Sequence, residues 1–183
     1  MEVIYIQGES GSGKTTYAKK YAEKNNFSVY ISSGSNDVLG DYKGEDCLIL
    51  DDLRPSVMGM SDLLKLTDNH TSSTIKSRYR NKSIQECQLL IITSILNMKE
   101  FFNKVFTEEE EPIKQLQRRC KTNIRMTKDR IYISFYDEIK DSYTEEIVME
   151  NKICSEYEKM TYNNKDEILN QAKRFIVNGN KIL

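Results

Sequence analysis

The stretch Gly8-Glu9-Ser10-Gly11-Ser12-Gly13-Lys14-Thr15 decides how the rest of the sequence is interpreted. It fits the pattern G-x-x-x-x-G-K-[ST], the phosphate-binding loop, in which backbone N–H groups turn inward around phosphate oxygens. The motif needs a strand before it and a helix after it. Both are predicted here: a strand from the apolar run Val3–Ile6, and a helix over about Lys14–Lys24 from a helical pattern between Thr16 and Lys24. The alternative is a glycine-rich turn of no consequence, which the complete motif and its two flanks disfavour.

Each part of this loop has a predicted role in holding a nucleotide. The glycines permit backbone conformations that a side chain would block, and Lys14 would reach the β- and γ-phosphates. Thr15 would offer its hydroxyl to Mg²⁺, and the start of the helix adds partial positive charge. The nucleotide-binding residues are therefore predicted to be Gly8, Glu9, Ser10, Gly11, Ser12, Gly13, Lys14, Thr15 and Thr16.

Composition limits the class of protein. The 183 residues are 30% charged and 38% apolar with a net charge of −1, so a nucleic-acid site has to be a local patch. The four cysteines, Cys47, Cys87, Cys120 and Cys154, show no C-x-x-C spacing and are interpreted as reduced thiols of a cytosolic protein. His70 is the single histidine, which argues against a zinc site. No signal peptide or membrane-spanning apolar run is present, so we expect a cytoplasmic protein without a membrane partner.

An acidic pair follows the third predicted strand. Cys47–Leu50 is almost continuously apolar, as expected for a parallel strand that is covered on both faces. The strand ends in Asp51 and Asp52, which is the Walker B arrangement: Asp51 would belong to the Mg²⁺ site, and Asp52 would orient or deprotonate the attacking water. The alternative is a polar pair that only ends the strand, and it is the weaker one beside a phosphate-binding loop.

A run of alternating cations lies between residues 71 and 82. Its charged and aromatic members are Lys76, Arg78, Tyr79, Arg80 and Lys82. In an extended strand or a hairpin, this alternation puts four cations on one side. Cations beside an aromatic ring suit a surface that tracks nucleic-acid phosphates and stacks bases. A solvated edge strand, in which lysine is common, explains the pattern equally well.

Two further segments contain candidate catalytic side chains. A fourth strand, Gln88–Thr93, ends in Thr93 and Ser94, whose hydroxyls could reach the γ-phosphate or the attacking water; an ordinary strand terminus is the alternative. A helical stretch, Ile113–Cys120, contains Arg118 and Arg119. An arginine presented to a neighbouring subunit could stabilise the transition state of phosphoryl transfer, although a surface basic pair is the better interpretation of these two residues taken alone.

The remaining elements follow from hydrophobic periodicity and turn residues. They are a strand at Phe27–Ile31, helices at Ser61–Asp68 and Phe101–Phe106, and a hairpin of Asn123–Met126 with Arg130–Tyr136. From Asp137 the composition becomes more charged, and we predict tail helices at Tyr143–Met160 and Lys165–Val177. We therefore divide the chain into a core, residues 1–136, and a helical C-terminal appendage, residues 137–183. Ser61 is a possible N-cap of its helix.

With these segments in place, the chain resembles the superfamily 3 helicase domain of rolling-circle Rep proteins, the replication initiators of small plasmids and related mobile elements and of circular single-stranded DNA viruses. The resemblance covers about two thirds of the chain, from Val3 to Cys120. The matching segments are Gly8–Thr15 (Walker A), Leu48–Arg54 preceded by Asp41–Gly44 (Walker B), Leu63–Asp68 through Arg78–Lys82 (B′), Leu90–Ser94 (motif C) and Gln117–Arg119 (arginine finger).

This resemblance implies an α/β fold, a P-loop NTPase with an AAA+-like parallel sheet in the order 5-1-4-3-2 and helices on both faces. It implies ATP and Mg²⁺ as cofactors, and a homo-oligomer, a hexameric ring, with ATP bound between subunits. The B′ hairpin would lie in the central channel, where Lys76, Arg78 and Arg80 would bind single-stranded DNA. Arg118 or Arg119 would act in trans as the arginine finger.

The sequence departs from the family pattern in two places. Motif C usually ends in an asparagine, but Ile95 stands there and Asn97 follows two residues later, so Thr93, Ser94 or Asn97 would take its role. The family's upstream nickase and oligomerisation domains are not visible before Met1, so we expect an excised domain, assign no nicking to this chain and expect the ring in the full-length protein rather than in this fragment, which could be a monomer. The predicted catalytic residues are Lys14, Asp52, Ser94, Asn97, Arg118 and Arg119.

The predicted function is an ATP-dependent DNA helicase motor domain of a replication initiator. One alternative is a small-molecule P-loop kinase that acts on nucleosides or nucleotides, because Gly-x-Gly-Lys-Thr-Thr also opens many of these enzymes. The adjacent pair Asp51-Asp52 argues against a kinase, because it is better suited to activating water than to phosphate transfer onto a small molecule. A third interpretation is a nucleotide-binding module without turnover, which the departure at Ile95 keeps open.

Overall fold

The fold is that of a computed structural model, which describes residues 1–32, 37–68, 74–76, 81–84, 86–105 and 113–154. Its strands are β1 (Glu2–Gly8), β2 (Val29–Ser32), β3 (Cys47–Leu50), β4 (Thr74–Lys76), β5 (Asn81–Ser83), β6 (Leu89–Ser94), β7 (Thr122–Met126), β8 (Arg130–Asp137), β9 (Ser142–Tyr143) and β10 (Ile147–Glu150). Its helices are α1 (Lys14–Lys24), α2 (Met60–Leu66), α3 (Met98–Val105) and α4 (Lys114–Arg119). Among these residues, no helix has the length and apolar composition that crossing a bilayer requires.

Most of the strands form one mixed sheet in the order β10-β8-β7-β1-β6-β3-β2, with β9 paired to β8. The five strands β7-β1-β6-β3-β2 are parallel to one another, and β8, β9 and β10 extend the sheet by antiparallel pairing. The carboxyl ends of parallel strands meet at one edge of a sheet. The residues that follow β1, β3 and β6 therefore come together, in a mixed α/β arrangement that is compatible with a P-loop NTPase.

The central strand β1 alternates between two buried layers, because successive side chains of a strand point to opposite faces. On one face, Ile4 and Ile6 pack in a cluster with Ala18 and Ala22 of α1. On the other face, Tyr5 packs in a cluster that includes members of α2, α3 and α4. Helices therefore cover both faces, and the buried residues on both sides of β1 hold its carboxyl end, where the phosphate-binding loop starts, in a fixed position.

The C-terminal part of the described chain corrects the prediction of a helical tail. Residues 142–143 and 147–150, most of which we expected in a helix at Tyr143–Met160, instead form β9 and β10, and both strands pair with β8. These two strands extend the sheet beyond Asp137. All four residues of β10 are exposed, so the strand lacks the buried–exposed alternation by which a strand is recognised. The second predicted tail helix, Lys165–Val177, lies outside the described residues.

The start of α2 and the cation-rich segment were also the subject of predictions. Gly59, and not Ser61, precedes the first residue of α2, and no side chain among the described residues caps that helix. In the cation-rich segment, β4 and β5 form a two-stranded antiparallel sheet in which Lys76 pairs with Asn81 and Lys82 pairs with Ile75. The two lysines are thus not cross-strand partners. The candidates Arg78, Tyr79 and Arg80 lie outside the described residues, and the structure describes only the backbone of Lys76 and Lys82.

Candidate phosphate-binding site

The loop between β1 and α1 has a shape that two of its glycines make possible. At Gly8, a β-carbon would lie 2.2 Å from the backbone carbonyl oxygen of Met126, so the close approach of β1 to β7 excludes any side chain. Gly13, the residue before α1, has a φ of 85°, in the left-handed region. No side chain of the described residues caps α1. Its first N–H groups thus lack the side-chain acceptor that a capped helix would have, which suits the binding of an anion.

Lys14 lies inside the loop. Its Nζ donates hydrogen bonds to the carbonyl oxygens of Gly8 at 2.7 Å and Glu9 at 2.9 Å, and only 9% of the residue is exposed. Burial lowers the pKa of the Lys14 ammonium, and the nearby charges of Asp52 and Asp51 oppose that change. The loop therefore holds a desolvated cation, and a bound phosphate would give this cation a stronger partner than two carbonyl groups.

The residues that follow β3 and β6 meet Thr15 in a hydrogen-bond network. Asp51 Oδ1 accepts hydrogen bonds from the hydroxyls of Thr15 at 2.6 Å and Thr93 at 2.9 Å. The Thr93 hydroxyl also accepts a bond of 2.8 Å from the backbone N–H of Asp52. A threonine hydroxyl and a carboxylate are oxygen donors of the kind that Mg²⁺ prefers. Thr15 and Asp51 thus fit a magnesium site by the chemistry of their donors.

Asp52 has a partner that the sequence analysis did not single out. Its Oδ2 accepts bonds from Arg54 Nε at 3.1 Å and Arg54 Nη2 at 2.8 Å. Both side chains are about half exposed, 59% for Arg54 and 47% for Asp52, so the pair contributes only about 0–1 kcal/mol to stability. Asp52 itself adopts a left-handed φ of 49°. Arg54 therefore holds the carboxylate that is the candidate for orienting water, and holds it weakly.

Two candidate catalytic residues make their described hydrogen bonds elsewhere. The Ser94 hydroxyl donates to the Leu53 carbonyl at 2.9 Å and accepts from the backbone N–H of Leu96. Asn97 caps α3: its Oδ1 accepts from the N–H of Glu100 at 2.8 Å, while Glu100 accepts from the N–H of Asn97. Of the polar candidates near the end of β6, only Thr93 is hydrogen-bonded to Asp51.

The two candidate arginines at the end of α4 have different surroundings. Arg118 donates through two nitrogens to Asp141, at 3.0 and 3.1 Å, and Asp141 also accepts from Lys114 and from the Tyr136 hydroxyl. These donors hold the pKa of the Asp141 carboxyl well below its usual range. Arg119 instead donates to the Gln115 carbonyl, at 2.9 Å. Within the described part of the chain, neither arginine is hydrogen-bonded to the phosphate-binding loop.

Two residues that no sequence pattern indicates, Asn151 and Cys154, cover the outer side of the loop. Asn151 donates through Nδ2 to the Ser12 carbonyl at 2.9 Å, and the Cys154 thiol donates to the Gly11 carbonyl at 3.3 Å. These pairs are 139 and 143 residues apart in the chain. No pattern in the sequence connects such distant positions, so only the folded structure reveals this contact.

Comparisons with known proteins match the segment that builds this site. A family model described as RNA helicase matches residues 4–96, which include the phosphate-binding loop, the acidic pair and β6. The chain is also 54% identical, over 143 residues, to a protein named Replication protein from Onion yellows phytoplasma (strain OY-M). That match covers 78% of this chain but 37% of the relative, so the chain spans little more than a third of the relative's length.

Proposed function

Because the chain belongs to the RNA helicase family, we propose that it is the ATP-dependent motor domain of a replication protein and that it moves along single-stranded DNA. The observation that carries the proposal is the meeting of Thr15, Asp51 and Thr93 beside a loop that already holds a buried lysine. A structural turn has no need of a desolvated cation beside a pair of carboxylates, whereas the hydrolysis of a nucleoside triphosphate uses both.

The proposed chemistry assigns one task to each of these side chains. Backbone N–H groups of the loop and the Lys14 ammonium would bind the β- and γ-phosphates of ATP. Thr15 and Asp51 would hold Mg²⁺, which would neutralise charge at the phosphates. Asp52 would orient the attacking water and accept its proton. Thr93 would fix the Asp51 carboxylate relative to the backbone of Asp52, because its hydroxyl is hydrogen-bonded to both.

We further propose that the domain is of the superfamily 3, AAA+-like type and works as a homo-oligomeric ring, a hexamer. The arrangement of the parallel strands, β7-β1-β6-β3-β2, supports this type, because it reads 5-1-4-3-2 when these five strands alone are numbered along the chain. ATP would lie between subunits, and an arginine of the neighbouring α4 would stabilise the transition state. Arg119 is the better candidate of the two, because Arg118 would first have to leave Asp141.

The proposed nucleic-acid contacts lie in the segment that contains β4 and β5. Lys76, Arg78, Arg80 and Lys82 would bind the phosphate backbone and Tyr79 would stack on a base. The name of the relative, Replication protein, favours DNA as the substrate, and the resemblance to Rep proteins of rolling-circle replicons, plasmid or viral, favours the single-stranded form. The name of the family makes RNA the competing substrate.

The deciding experiment measures ATP turnover alone, with single-stranded DNA and with single-stranded RNA of the same length. Lys14→Ala is the test variant, and Lys19→Ala is its control, because Lys19 is an exposed lysine of the same helix. We expect turnover that DNA stimulates more than RNA, that Lys14→Ala abolishes and that Lys19→Ala retains. Turnover that survives Lys14→Ala would overturn the catalytic assignment, and stronger stimulation by RNA would overturn the assignment of the substrate.

Two further results separate this proposal from its alternatives. Phosphate transfer to a nucleoside or nucleotide would indicate a kinase, and tight ATP binding without turnover in the complete protein would indicate a binding module.

The double variant Lys76→Ala with Arg78→Ala tests the nucleic-acid contacts. We expect a weaker affinity for single-stranded DNA and a smaller dependence of that affinity on salt concentration. A protein that makes fewer phosphate contacts releases fewer counterions from the DNA when it binds. Wild-type affinity in the double variant would contradict the assignment of these contacts.

A further inference from the structure

The geometry points to a positioning role for Asn151 in the phosphate-binding loop. We propose that its side-chain amide holds the carbonyl group of Ser12 on the outer side of the loop and thereby directs the N–H of Gly13 toward the phosphates. The inference rests on the proposed function, because it assumes that the loop binds a nucleotide. It adds a residue that lies far outside the loop motif and beyond residues 4–96, the segment that the family model matches.

Asn151 is hydrogen-bonded to the sheet as well as to the loop. Its backbone N–H donates to the Asp129 carbonyl at 2.8 Å, and its Nδ2 donates to the Thr127 carbonyl at 2.6 Å. Both acceptors lie in the tight turn between β7 and β8, and only 2% of Asn151 is exposed. The second bond of Nδ2, at 2.9 Å to the Ser12 carbonyl, therefore connects the loop to the hairpin of β7 and β8.

The direction of that second bond has a consequence inside the loop. In a planar trans peptide, the carbonyl group of one residue and the N–H of the next point in opposite directions. The Ser12 carbonyl points toward Asn151, so the Gly13 N–H points away from it. Inward-pointing N–H groups are the groups with which such loops bind phosphate oxygens. Asn151 thus preorganises one donor of the site, and preorganisation raises affinity because less order has to be created on binding.

Two residues near Asn151 in the chain, Ile153 and Cys154, also contact the loop. A β-carbon at Gly13 would lie 3.0 Å from Ile153 Cγ2, so the Ile153 side chain packs directly behind that residue. The Cys154 thiol donates to the Gly11 carbonyl at 3.3 Å. Residues 151–154 therefore cover the outer side of the loop at three successive positions, from Gly11 to Gly13.

The experiment compares Asn151→Ala with Glu146→Gln in the affinity for a fluorescent ATP analogue in the presence of Mg²⁺. Glu146 lies in the same C-terminal segment, but it pairs with Arg125 rather than with the loop. Asn151→Ala leaves the Ser12 carbonyl without its partner, and we expect a dissociation constant that is about tenfold higher. Glu146→Gln should bind as the wild type does. Turnover at saturating ATP should change less than the dissociation constant, because the variant disturbs the empty loop more than the occupied one.

Asn151→Ala also loses the bond to Thr127, so a second measurement uses the wild-type chain. Iodoacetamide alkylates accessible thiols, and Cys154 is the half-buried one of the four cysteines, while Cys47, Cys87 and Cys120 are buried. Burial also raises the pKa of the Cys47 and Cys120 thiols, to about 12, which disfavours the reactive thiolate. If the segment and the loop are coupled, saturating ATP slows the alkylation of Cys154, and alkylated protein binds ATP more weakly.

The two measurements separate the possible failures. A Cys154 alkylation rate that saturating ATP leaves unchanged would overturn the inference, as would wild-type ATP affinity in an Asn151→Ala protein that melts as a single transition. Equal weakening in Glu146→Gln would also overturn it, because the effect would then be a general one on the C-terminal segment. If the wild type and Lys14→Ala both fail to bind ATP, the proposed function fails, and this inference fails with it.

Discussion

The hydroxyl of Thr15 donates a hydrogen bond of 2.6 Å to Asp51 Oδ1, although 36 residues separate the two in the chain. This bond joins the first turn of α1 to the residue that follows β3. The same oxygen accepts a second bond from Thr93, at the end of β6. One carboxylate oxygen therefore connects three elements of the sheet edge, and a metal ion that enters here would replace hydrogen bonds that are already in place.

Thr93 is predicted to increase turnover because its hydroxyl is hydrogen-bonded to both acidic residues. Thr93→Val keeps the shape of the side chain but leaves the Asp52 N–H without its acceptor and Asp51 without a donor. We expect ATP turnover to fall about tenfold, since leaving a buried polar group unpaired costs ~1–3 kcal/mol. Thr93→Ser, which keeps the hydroxyl, is the control. A Thr93→Val protein with the wild-type rate would contradict the role of this network.

Asn97 is predicted to stabilise the fold rather than to act on the nucleotide. Its side chain caps α3 in a reciprocal pair with Glu100. Asn97→Ala should therefore lower the free energy of unfolding by about 1 kcal/mol, while the rate of ATP turnover stays within about twofold of the wild type, and Asn97→Ser should retain the cap. Denaturant titration and the turnover assay check both parts. A large loss of turnover at unchanged stability would return Asn97 to the role of the missing motif C asparagine.

Arg54 is predicted to restrain the carboxylate that orients water. Arg54→Gln removes both bonds to Asp52 Oδ2, so the carboxylate becomes available to water without first leaving a partner. We expect turnover to rise by no more than about fivefold, because an exposed ion pair contributes at most ~1 kcal/mol. The rise should shrink at high salt, where the pair is already screened. Lys65→Gln, which removes an exposed ion pair with Asp62 on α2, is the matched control. If turnover falls in Arg54→Gln but not in this control, Arg54 assists catalysis instead.

Arg119 is predicted to complete the active site of a neighbouring subunit. If the protein works as the proposed ring, Arg119→Ala should lose turnover, while Arg118→Ala should lose less. Mixing Arg119→Ala with Lys14→Ala should restore part of the activity, because some interfaces then combine an intact Lys14 with an intact Arg119. Each variant alone should stay inactive. The absence of any recovery on mixing two well-assembled variants would mean that the arginine does not act in trans.

The stability of the chain should depend on Asp141 in acid. The pKa of this carboxyl lies below its ordinary value of 3.8, because Lys114, the Tyr136 hydroxyl and Arg118 donate to it. Since the unfolded chain binds the proton more readily, the stabilisation is complete above the ordinary pKa and is lost as the pH falls through the lowered one. The difference in unfolding midpoint between the wild type and Asp141→Asn should therefore be constant above about pH 5 and should narrow below about pH 4. Glu23→Gln, at an exposed position of α1, is the control, and a difference that grows in acid would contradict the pairing.

Much of the fold could be predicted because its evidence is local. Helix α1 and strand β3 begin and end where the sequence predicts, at Lys14–Lys24 and Cys47–Leu50. The hairpin of β7 and β8 was predicted within two residues at each end. In these stretches, the hydrophobic pattern and the turn residues agree with the burial that each element finds in the sheet. The exposed strand β10 shows no such pattern, which is why a helix was predicted in its place.

The glycine-rich loop after β1 and the acidic pair after β3 could be located from the sequence alone, because a run of neighbouring residues specifies a backbone turn and a strand end. Only the tertiary structure decided which side chains complete the site. Thr93 and Ser94 are adjacent, so they point to opposite faces of β6, and the register that pairs Leu50 with Ile92 decides which of them is hydrogen-bonded to Asp51. Asn151 reaches Ser12 across 139 residues for the same reason. Contacts of this kind depend on strand order and register, and neither is written in any short stretch of sequence.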